Sequence, residues 1–398
     1  MKTFFLSLCF LPFTCFTSLQ AAAPVVSNVS AGQQAGTKMV DIYYDLSAST
    51  SSVAISAQVS ADGGLTYIIP AVTFSGSIGA GVTPGAGKHI VWNAGADWNG
   101  QWAATCRVRV TASDTVIPTA PAGMAYIPAG PFQMGDSFSE SADALPLHSV
   151  QVSAFFMDAN LVSGALWQAV QSWGSSHGYS VGSGSWAGNS HPVQTVSWYE
   201  CVKWCNARSE MQGLTPVYYT DVAQTIVYRG ATNTDIASTM VKWSANGYRL
   251  PTEAEWEKAA RGGLLGQRYP WGNTIANNQA NYSASGDPFE SGSPATTPCG
   301  YYNGGQTPAG VNMANGYGLY DMAGNVWEWC WDWYGSGYYA DPTANSDPRG
   351  PASGGSYRVL RGGAWNYAAA DLRCARRYYY YTPANSNYVI GFRCSRGL

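Results

Sequence analysis

The stretch that decides the fold is Gly316–Gly335, which reads GYGLYDMAGNVWEWCWDWYG. Tryptophans occupy every second position from Trp327 to Trp333, and this period of two predicts a strand with one face made of rings. Tryptophan buries a large area, so the run is expected in the core. Asp321 and Glu328 accompany the rings on a glycine-broken turn, and such oxygen ligands can hold Ca²⁺. The stretch therefore predicts a central strand beside a candidate ion site.

The composition favours a rigid, loop-rich protein over a disordered one. Charged residues make up 11% of the 398 residues, against about 25% in an average domain, whereas Gly, Trp and Tyr number 45, 16 and 26. The net charge of -3 offers no basic surface, so we expect no nucleic-acid partner. The length is sufficient for two domains.

Residues 1–23 have the features of a secretory signal peptide. Lys2 supplies a positive start, the apolar segment Phe4–Phe16 follows, and small residues up to Ala23 offer a cleavage site. No later stretch has the ~18 apolar residues that a spanning helix needs. We therefore predict a secreted, periplasmic or extracellular protein without a membrane span.

Seven of the nine cysteines remain when Cys9 and Cys15 of the signal are set aside. An oxidising compartment allows disulfides, but an odd number leaves at least one thiol free or paired with another chain. The connectivity does not follow from the sequence alone. The seven are Cys106, Cys201, Cys205, Cys299, Cys330, Cys374 and Cys394.

Residues 24–113 predict an all-β module. Its strand-like segments are Met39–Leu46, Val53–Val59, Thr66–Ile69, His89–Trp92 and Cys106–Thr111. Their spacing suits an immunoglobulin- or fibronectin-like sandwich, which we interpret as a spacer or adhesion module. The proline-containing residues 114–122 form the predicted linker to a second domain, residues 123–398.

Two capping boxes predict the helices of the second domain. Ser197 with Glu200 begins one helix, and Thr252 with Glu255 begins another that ends at the glycines after Arg261. Elsewhere, long loops rich in Gly, Asn, Ser and Pro separate short strands. Loops of this length need ions or disulfides to order them.

Eight sequence blocks resemble, in order, those of the formylglycine-generating enzyme or sulfatase-modifying-factor domain family. The resemblance implies an α+β, loop-rich, C-type-lectin-like fold for residues 123–398. The blocks are MAYIPAGPFQMGD (Met124–Asp136), HPVQTVSWYECVKWCN (His191–Asn206), NGYRLPTEAEWEKAARGG (Asn246–Gly263), RYPWGN (Arg268–Asn273), ANY (Ala280–Tyr282), GLYDMAGNVWEW (Gly318–Trp329), RVLRGGAW (Arg358–Trp365) and GFRC (Gly391–Cys394).

The resemblance also implies two structural Ca²⁺ sites built from oxygen ligands only, which suit a hard cation. The alternative is that the same residues cap turns and hold no ion. The first site would use Asn281, Asp287 and the carbonyls of Tyr282 and Phe289; the second would use Asp321, Glu328 and the carbonyls of Gly324 and Val326.

The family's oxidase converts a sulfatase cysteine, within Cys-x-Pro-x-Arg, to formylglycine, and it resembles a Cu(I) enzyme whose metal lies between two thiolates. In this chain, Tyr367 and Ala369 stand about where those thiolates would be. We therefore predict neither a catalytic residue nor copper. Cys374 matches a structural cysteine whose family partner is missing. The family's other disulfide would join Cys205 to Cys394.

The C-terminal tail favours binding. Tyrosine beside Asn, Ser and Asp provides large contact area at low entropy cost. Four consecutive tyrosines cannot all point inward, so some must be exposed. The tail also resembles that of ligand-binding proteins of this fold that retroelements diversify. The predicted ligand-binding residues are Asn366, Tyr367, Asp371, Tyr378, Tyr379, Tyr380, Tyr381, Asn385, Asn387 and Tyr388.

The sequence thus favours a secreted binding module for a protein, peptide or glycan ligand. One alternative is the formylglycine-generating oxidase itself, with a sulfatase as its partner and a relocated site. A further alternative is a structural role in an envelope or extracellular assembly.

Overall fold

The computed structural model describes residues 23–64, 67, 69, 71–101, 103–113, 119–290, 295–352 and 355–398. The predicted signal peptide therefore lies outside the described residues except for residue 23, and so do residues 114–118 of the predicted linker. None of the helices in the described part combines the length and apolar character needed to cross a membrane. The chain divides into an N-terminal unit, Met1–Ile117, and a C-terminal unit, Pro118–Leu398.

The N-terminal unit contains two antiparallel sheets, with strand orders β1-β2-β6-β4 and β5-β3-β7. In β2, Ile42, Tyr44 and Leu46 are buried while Tyr43 is exposed, because neighbouring side chains of a strand point to opposite faces. The immunoglobulin or fibronectin assignment stays a prediction. The elements are β1 (Val25–Gln33), β2 (Met39–Ser47), β3 (Val53–Ser60), β4 (Phe74–Gly76), β5 (Gly79–Val82), β6 (Gly85–Asn93), α1 (Ala94–Asp97) and β7 (Arg107–Ser113).

The C-terminal unit has few helices and many short strands between long loops. Its sheets have the orders β10-β9, β12-β16-β11-β8 and β14-β13-β15. The elements are β8 (Met124–Ile127), β9 (Gly130–Met134), β10 (His148–Val152), β11 (Phe155–Asp158), α2 (Gly164–Ser175), α3 (Trp198–Met211), β12 (Tyr248–Arg249), α4 (Glu253–Arg261), β13 (Trp327–Trp333), β14 (Arg358–Arg361), β15 (Ile390–Gly391) and β16 (Ser395–Arg396), with 3₁₀ turns at Ala142–Ala144, Ser238–Met240, Tyr338–Ala340, Pro342–Asn345 and Ala369–Leu372.

Both predicted capping boxes are confirmed. The side chain of Ser197 accepts from the N–H of Glu200 at the start of α3, and the side chain of Thr252 accepts from the N–H of Glu255 at the start of α4. In each pair, the carboxylate of the glutamate accepts in turn from the backbone N–H of the capping residue. Helix α4 ends at Gly262, whose φ of 56° is the left-handed conformation that favours glycine.

The predicted tryptophan strand is confirmed as β13, at the centre of its sheet and paired with β14 and β15. Trp329 and Trp331 pack with α3 on one side, while Cys330 packs on the other side with residues of α4. The ring N–H of Trp329 donates to the carbonyl of Val196 at 3.0 Å, and that of Trp198 to the carbonyl of Cys330 at 2.9 Å. The strand is therefore core on both faces.

Buried ion pairs connect the loops to this centre. Arg393 donates to both oxygens of Glu328, at 2.7 and 2.9 Å, and both residues are fully buried. Arg377 forms the same kind of paired contact with Glu253 at 2.7 and 2.9 Å. Much of the chain's small number of charged side chains therefore lies buried in the C-terminal unit, where each charge needs an oppositely charged or hydrogen-bonding partner.

Candidate functional site

Ring contacts link five of the ten predicted binding residues, namely Tyr367, Tyr378, Tyr379, Tyr380 and Tyr381, and we call the ten residues together the tyrosine face. It comprises the same ten residues, Asn366, Tyr367, Asp371, Tyr378, Tyr379, Tyr380, Tyr381, Asn385, Asn387 and Tyr388.

The floor of the tyrosine face is Trp327, the first residue of β13, which is fully buried. Tyr378 stacks on its ring with centroids 4.5 Å apart, and Tyr367 meets it edge-on at 5.3 Å. The hydroxyls of Tyr367 and Tyr378 lie 3.0 Å apart, within hydrogen-bonding distance. Tyr378 also exchanges both backbone hydrogen bonds with Leu360, which fixes it beside β14. Two of the ten residues therefore anchor the face rather than project from it.

A second stack extends outward from this floor. Tyr379 stacks on Tyr334 with centroids 3.8 Å apart, and Tyr380 stacks on Tyr379 at 5.1 Å. Tyr380 is 64% exposed, whereas Tyr381 is half-buried and packs 6.1 Å from Tyr378. Three rings of the four-tyrosine run are therefore half-buried and one is exposed, which agrees with the expectation that they cannot all point inward.

The far end of the face is held by local turn bonds. Tyr388 is 50% exposed and packs 6.0 Å from Trp365. The side-chain oxygen of Asn385 accepts from both the N–H and the hydroxyl of Thr382 at 2.8 Å, and the carbonyl of Asn387 accepts from Thr195 at 3.0 Å. These two asparagines therefore shape the loop.

The opposite edge contains Asn366 and Asp371. Asn366 is exposed. The carboxylate of Asp371 accepts from Arg376 at 3.0 Å, so that its charge is balanced within the face. The face is thus nearly neutral and aromatic.

Burial governs the chemistry of the anchoring hydroxyl groups. It raises the pKa of Tyr378 well above the usual range, helped by the hydrogen bond with Tyr367, and it also raises the pKa of Tyr381. These phenols therefore stay neutral near pH 7 and act as hydrogen-bonding groups. The ring N–H groups of Trp327 and Trp365 are buried and find no acceptor among the described residues.

The positions predicted for the oxidase's thiolates hold no sulfur. Tyr367 lies over Trp327, and the carbonyl of Ala369 accepts from the hydroxyl of Tyr269 at 3.1 Å. Cys374 is buried away from solvent, and burial raises the pKa of its thiol to about 11. A thiol with that pKa is protonated at neutral pH.

Three further cysteines of the C-terminal unit follow the same pattern. Burial raises the pKa values of Cys201, Cys299 and Cys330 well above the usual thiol value. The sulfur atoms of Cys205 and Cys394 lie 3.7 Å apart in the core and are not bonded. The disulfide between them stays a prediction, and the short separation is compatible with it.

The first predicted calcium site has suitable oxygen donors. Asp287 is buried, and its carboxylate accepts from Ser285 at 2.6 Å and from the N–H of Phe289 at 2.8 Å, both neutral donors. Asn281 is buried, and its side-chain N–H donates to the carbonyl of Ala295 at 2.9 Å, which leaves the amide oxygen for a cation. A buried carboxylate with only neutral partners fits a hard cation.

The second predicted site fits an ion less well. Glu328 already gives both oxygens to Arg393, and it also accepts from the ring N–H of Trp256 at 3.0 Å. Asp321 accepts from the N–H of Gly300 at 2.7 Å, and burial raises its pKa to about 6. Within the described residues, no three His, Cys, Asp or Glu side chains group as a metal site. Both calcium sites stay predictions.

Sequence reasoning missed two contributors to the tyrosine face. Tyr334 is the residue on which Tyr379 stacks, and Tyr357 packs 6.5 Å from Tyr379. Tyr334 stands directly after the tryptophan strand, so its place at the strand end was a usable signal. Tyr357 carries no such local signal.

The family model described as "Sulfatase-modifying factor enzyme 1-like domain" matches residues 111–398. Serine/threonine-protein kinase pkn1 of Chlamydia caviae is 36% identical over 280 residues, which cover 69% of this chain but only 38% of that protein. Formylglycine-generating enzyme of Streptomyces coelicolor is 33% identical over 319 residues, covering 70% of this chain and 90% of the enzyme. The solved structure of Treponema denticola variable protein 1 is 31% identical, has a TM-score of 0.52 and covers 69% of this chain and 95% of its own.

Proposed function

The chain belongs to the family of sulfatase-modifying-factor-1-like domains, and we propose that it is a secreted member which binds a protein, peptide or glycan through the tyrosine face and does not oxidise cysteine. One observation carries the proposal. Tyr367 and Ala369 stand about where the resemblance puts the family's two thiolates, and Tyr367 belongs to a packed aromatic cluster with Trp327 and Tyr378.

The aromatic cluster supports binding in a specific way. Tyr367 and Tyr378 are fixed by packing and by their mutual hydrogen bond, while Tyr380 and Tyr388 project into solvent. Rings that are held in place before a ligand arrives lose little entropy on binding, and each offers a hydroxyl for hydrogen bonding. The balanced pair of Asp371 and Arg376 favours a partner that is recognised by shape and polarity rather than by charge.

The N-terminal unit and the proposed calcium ion have supporting roles in this proposal. We assign the N-terminal unit to an immunoglobulin- or fibronectin-like spacer that follows an export signal. A calcium ion held by Asn281 and Asp287, with the carbonyls of Tyr282 and Phe289, would order the loop beneath Ala323 and Leu372, which share a small apolar cluster with Tyr282.

Oxidase activity is the second candidate, because the chain covers 90% of a formylglycine-generating enzyme at 33% identity. The experiment that separates the two is oxidation of a Cys-x-Pro-x-Arg peptide by the purified protein with Cu(I), O₂ and a reductant, measured by mass spectrometry beside an active relative. We expect no aldehyde. Aldehyde formation by the folded protein would overturn the proposal.

Binding itself is tested with a random peptide display library and a glycan array as probes. Ligands selected by the wild-type protein should lose affinity for Tyr380→Ala and Tyr388→Ala, because these are the exposed rings of the face. The matched control is Tyr43→Ala, an exposed tyrosine of the N-terminal unit at 46% exposure. The assignment of binding to the tyrosine face would be contradicted if Tyr43→Ala lost affinity for the selected ligands while Tyr380→Ala and Tyr388→Ala kept it.

A further inference from the structure

The N-terminal unit contains a cleft of about 590 Å³ that opens between its two sheets. Trp92 and Val40 contribute from one sheet, and Val59 and Val108 from the other, so that the cleft reaches the apolar core where the sheets separate. Its volume lies within the ~300–1,000 Å³ of typical small-ligand sites.

Two indole rings line the apolar part of the cleft. Trp92 is almost fully buried, and its ring N–H donates to the carboxylate of Asp97 at 2.8 Å. The same carboxylate accepts from the N–H groups of Val72 and Thr73 at 2.8 Å, which fixes the ring from behind. Trp98 is half-buried and packs against the same core. The cleft therefore offers preformed aromatic surface.

The mouth of the cleft is polar and contains no carboxylate among its described lining residues. Exposed amides are supplied by Gln33, Asn99 and Gln101. The ammonium group of Lys38 donates to the side-chain oxygen of Asn99 at 2.5 Å, so this cation of the described lining has a neutral partner. Cys106 also lies at the mouth and is exposed.

We propose that this cleft is a saccharide-binding site, separate from the tyrosine face. A sugar ring has an apolar C–H face, which packs on an indole, and a rim of hydroxyls, which exchange hydrogen bonds with amide side chains. The cleft presents these two kinds of group together, because the half-buried Trp98 offers an accessible indole among exposed amides, while the almost fully buried Trp92 belongs to the apolar wall. The ammonium group of Lys38 can donate a hydrogen bond to a sugar hydroxyl or to the carboxylate of an acidic sugar.

The test uses the full chain with neutral cello- and chito-oligosaccharides and with acidic oligogalacturonides, measured by calorimetry. Trp98→Ala should weaken binding about tenfold or more, whereas Trp271→Ala, a half-buried tryptophan of the C-terminal unit, should leave it unchanged. If Trp98→Ala does not fold, Gln101→Ala at an exposed position replaces it as the test variant and should likewise weaken saccharide binding. Loss of binding to the acidic sugars alone in Lys38→Ala would identify the acidic class as the ligand.

Alkylation of Cys106 gives a second measurement that needs no substitution. A bound saccharide should slow the reaction of this thiol, because Cys106 stands at the mouth of the cleft. The proposal is overturned if no saccharide of either class slows the alkylation or binds in the calorimeter. It is equally overturned if Tyr380→Ala abolishes saccharide binding while Trp98→Ala and Gln101→Ala retain it, since the site would then be the tyrosine face.

Discussion

Replacing Arg393 with Met tests whether buried ion pairs hold the framework under the tyrosine face. Arg393 and Glu328 are both fully buried, and the guanidinium also donates to the carbonyl of Tyr320 at 2.8 Å. Without the arginine, the ring N–H of Trp256, at 3.0 Å, is the hydrogen-bond donor that remains to the carboxylate among the described residues. An uncompensated buried charge of this kind destabilises by about 3–5 kcal/mol, and we expect that loss in the free energy of unfolding.

The assay is urea denaturation of the full chain, followed by near-UV circular dichroism, with the transitions of the two units fitted separately. Arg268→Met is the matched control, because its pair with Glu140 is exposed to solvent, where ion pairs contribute little to stability. The double variant Arg393→Met, Glu328→Gln removes both charges and should be more stable than Arg393→Met alone. A single variant no less stable than the control, or a double variant less stable than the single, would refute the reasoning.

Three further predictions concern single side chains. Tyr380→Ala should change the free energy of unfolding by less than about 0.5 kcal/mol in urea titrations, because the ring is mostly exposed; a larger loss would mean that it is part of the core. Burial lowers the pKa of Lys258 to about 8, so the free energy of unfolding should rise between pH 8 and 10, because the lysine loses its proton in the folded state before it does so in the unfolded state. Lys258→Met should remove about 1–3 kcal/mol of that rise. Equal slopes of unfolding free energy against pH for the wild type and the variant would contradict the prediction. Alkylation of the native protein should modify Cys106 first, as read by peptide mapping, because this thiol is exposed while the cysteines of the C-terminal unit are buried or half-buried. Faster labelling of a cysteine of the C-terminal unit than of Cys106 would contradict the prediction and would show that the core opens.

Elements with a local signal were predictable from the sequence. The capping residues Ser197 and Thr252 bond to neighbours three positions away, and the tryptophans of β13 repeat with the period of a strand. Four of the predicted N-terminal segments coincide with parts of β2, β3, β6 and β7. The strand Val25–Gln33 escaped prediction because it carries few large apolar residues and is mostly exposed.

Long-range pairing was not predictable by the same means. Arg393 lies 65 residues from Glu328 along the chain, and Arg377 lies 124 residues from Glu253. No period or cap marks such partners in one sequence. The cleft between the two sheets has the same origin, because it depends on how far the sheets separate and not on the residues of any one strand.

The run of tyrosines is held at both ends by contacts that do not involve their side chains. Arg377, directly before the run, is fully buried and bound to Glu253 of α4. Pro383, directly after Thr382, accepts from the N–H of Trp198 at 3.1 Å at the start of α3. Since the backbone of the run is fixed by these anchors, the exposed ring of Tyr380 contributes little to folding and is free to make the contacts that we propose with a ligand. The proposed site is therefore carried on the fold rather than required by it, and the framework can be kept while the exposed side chains change.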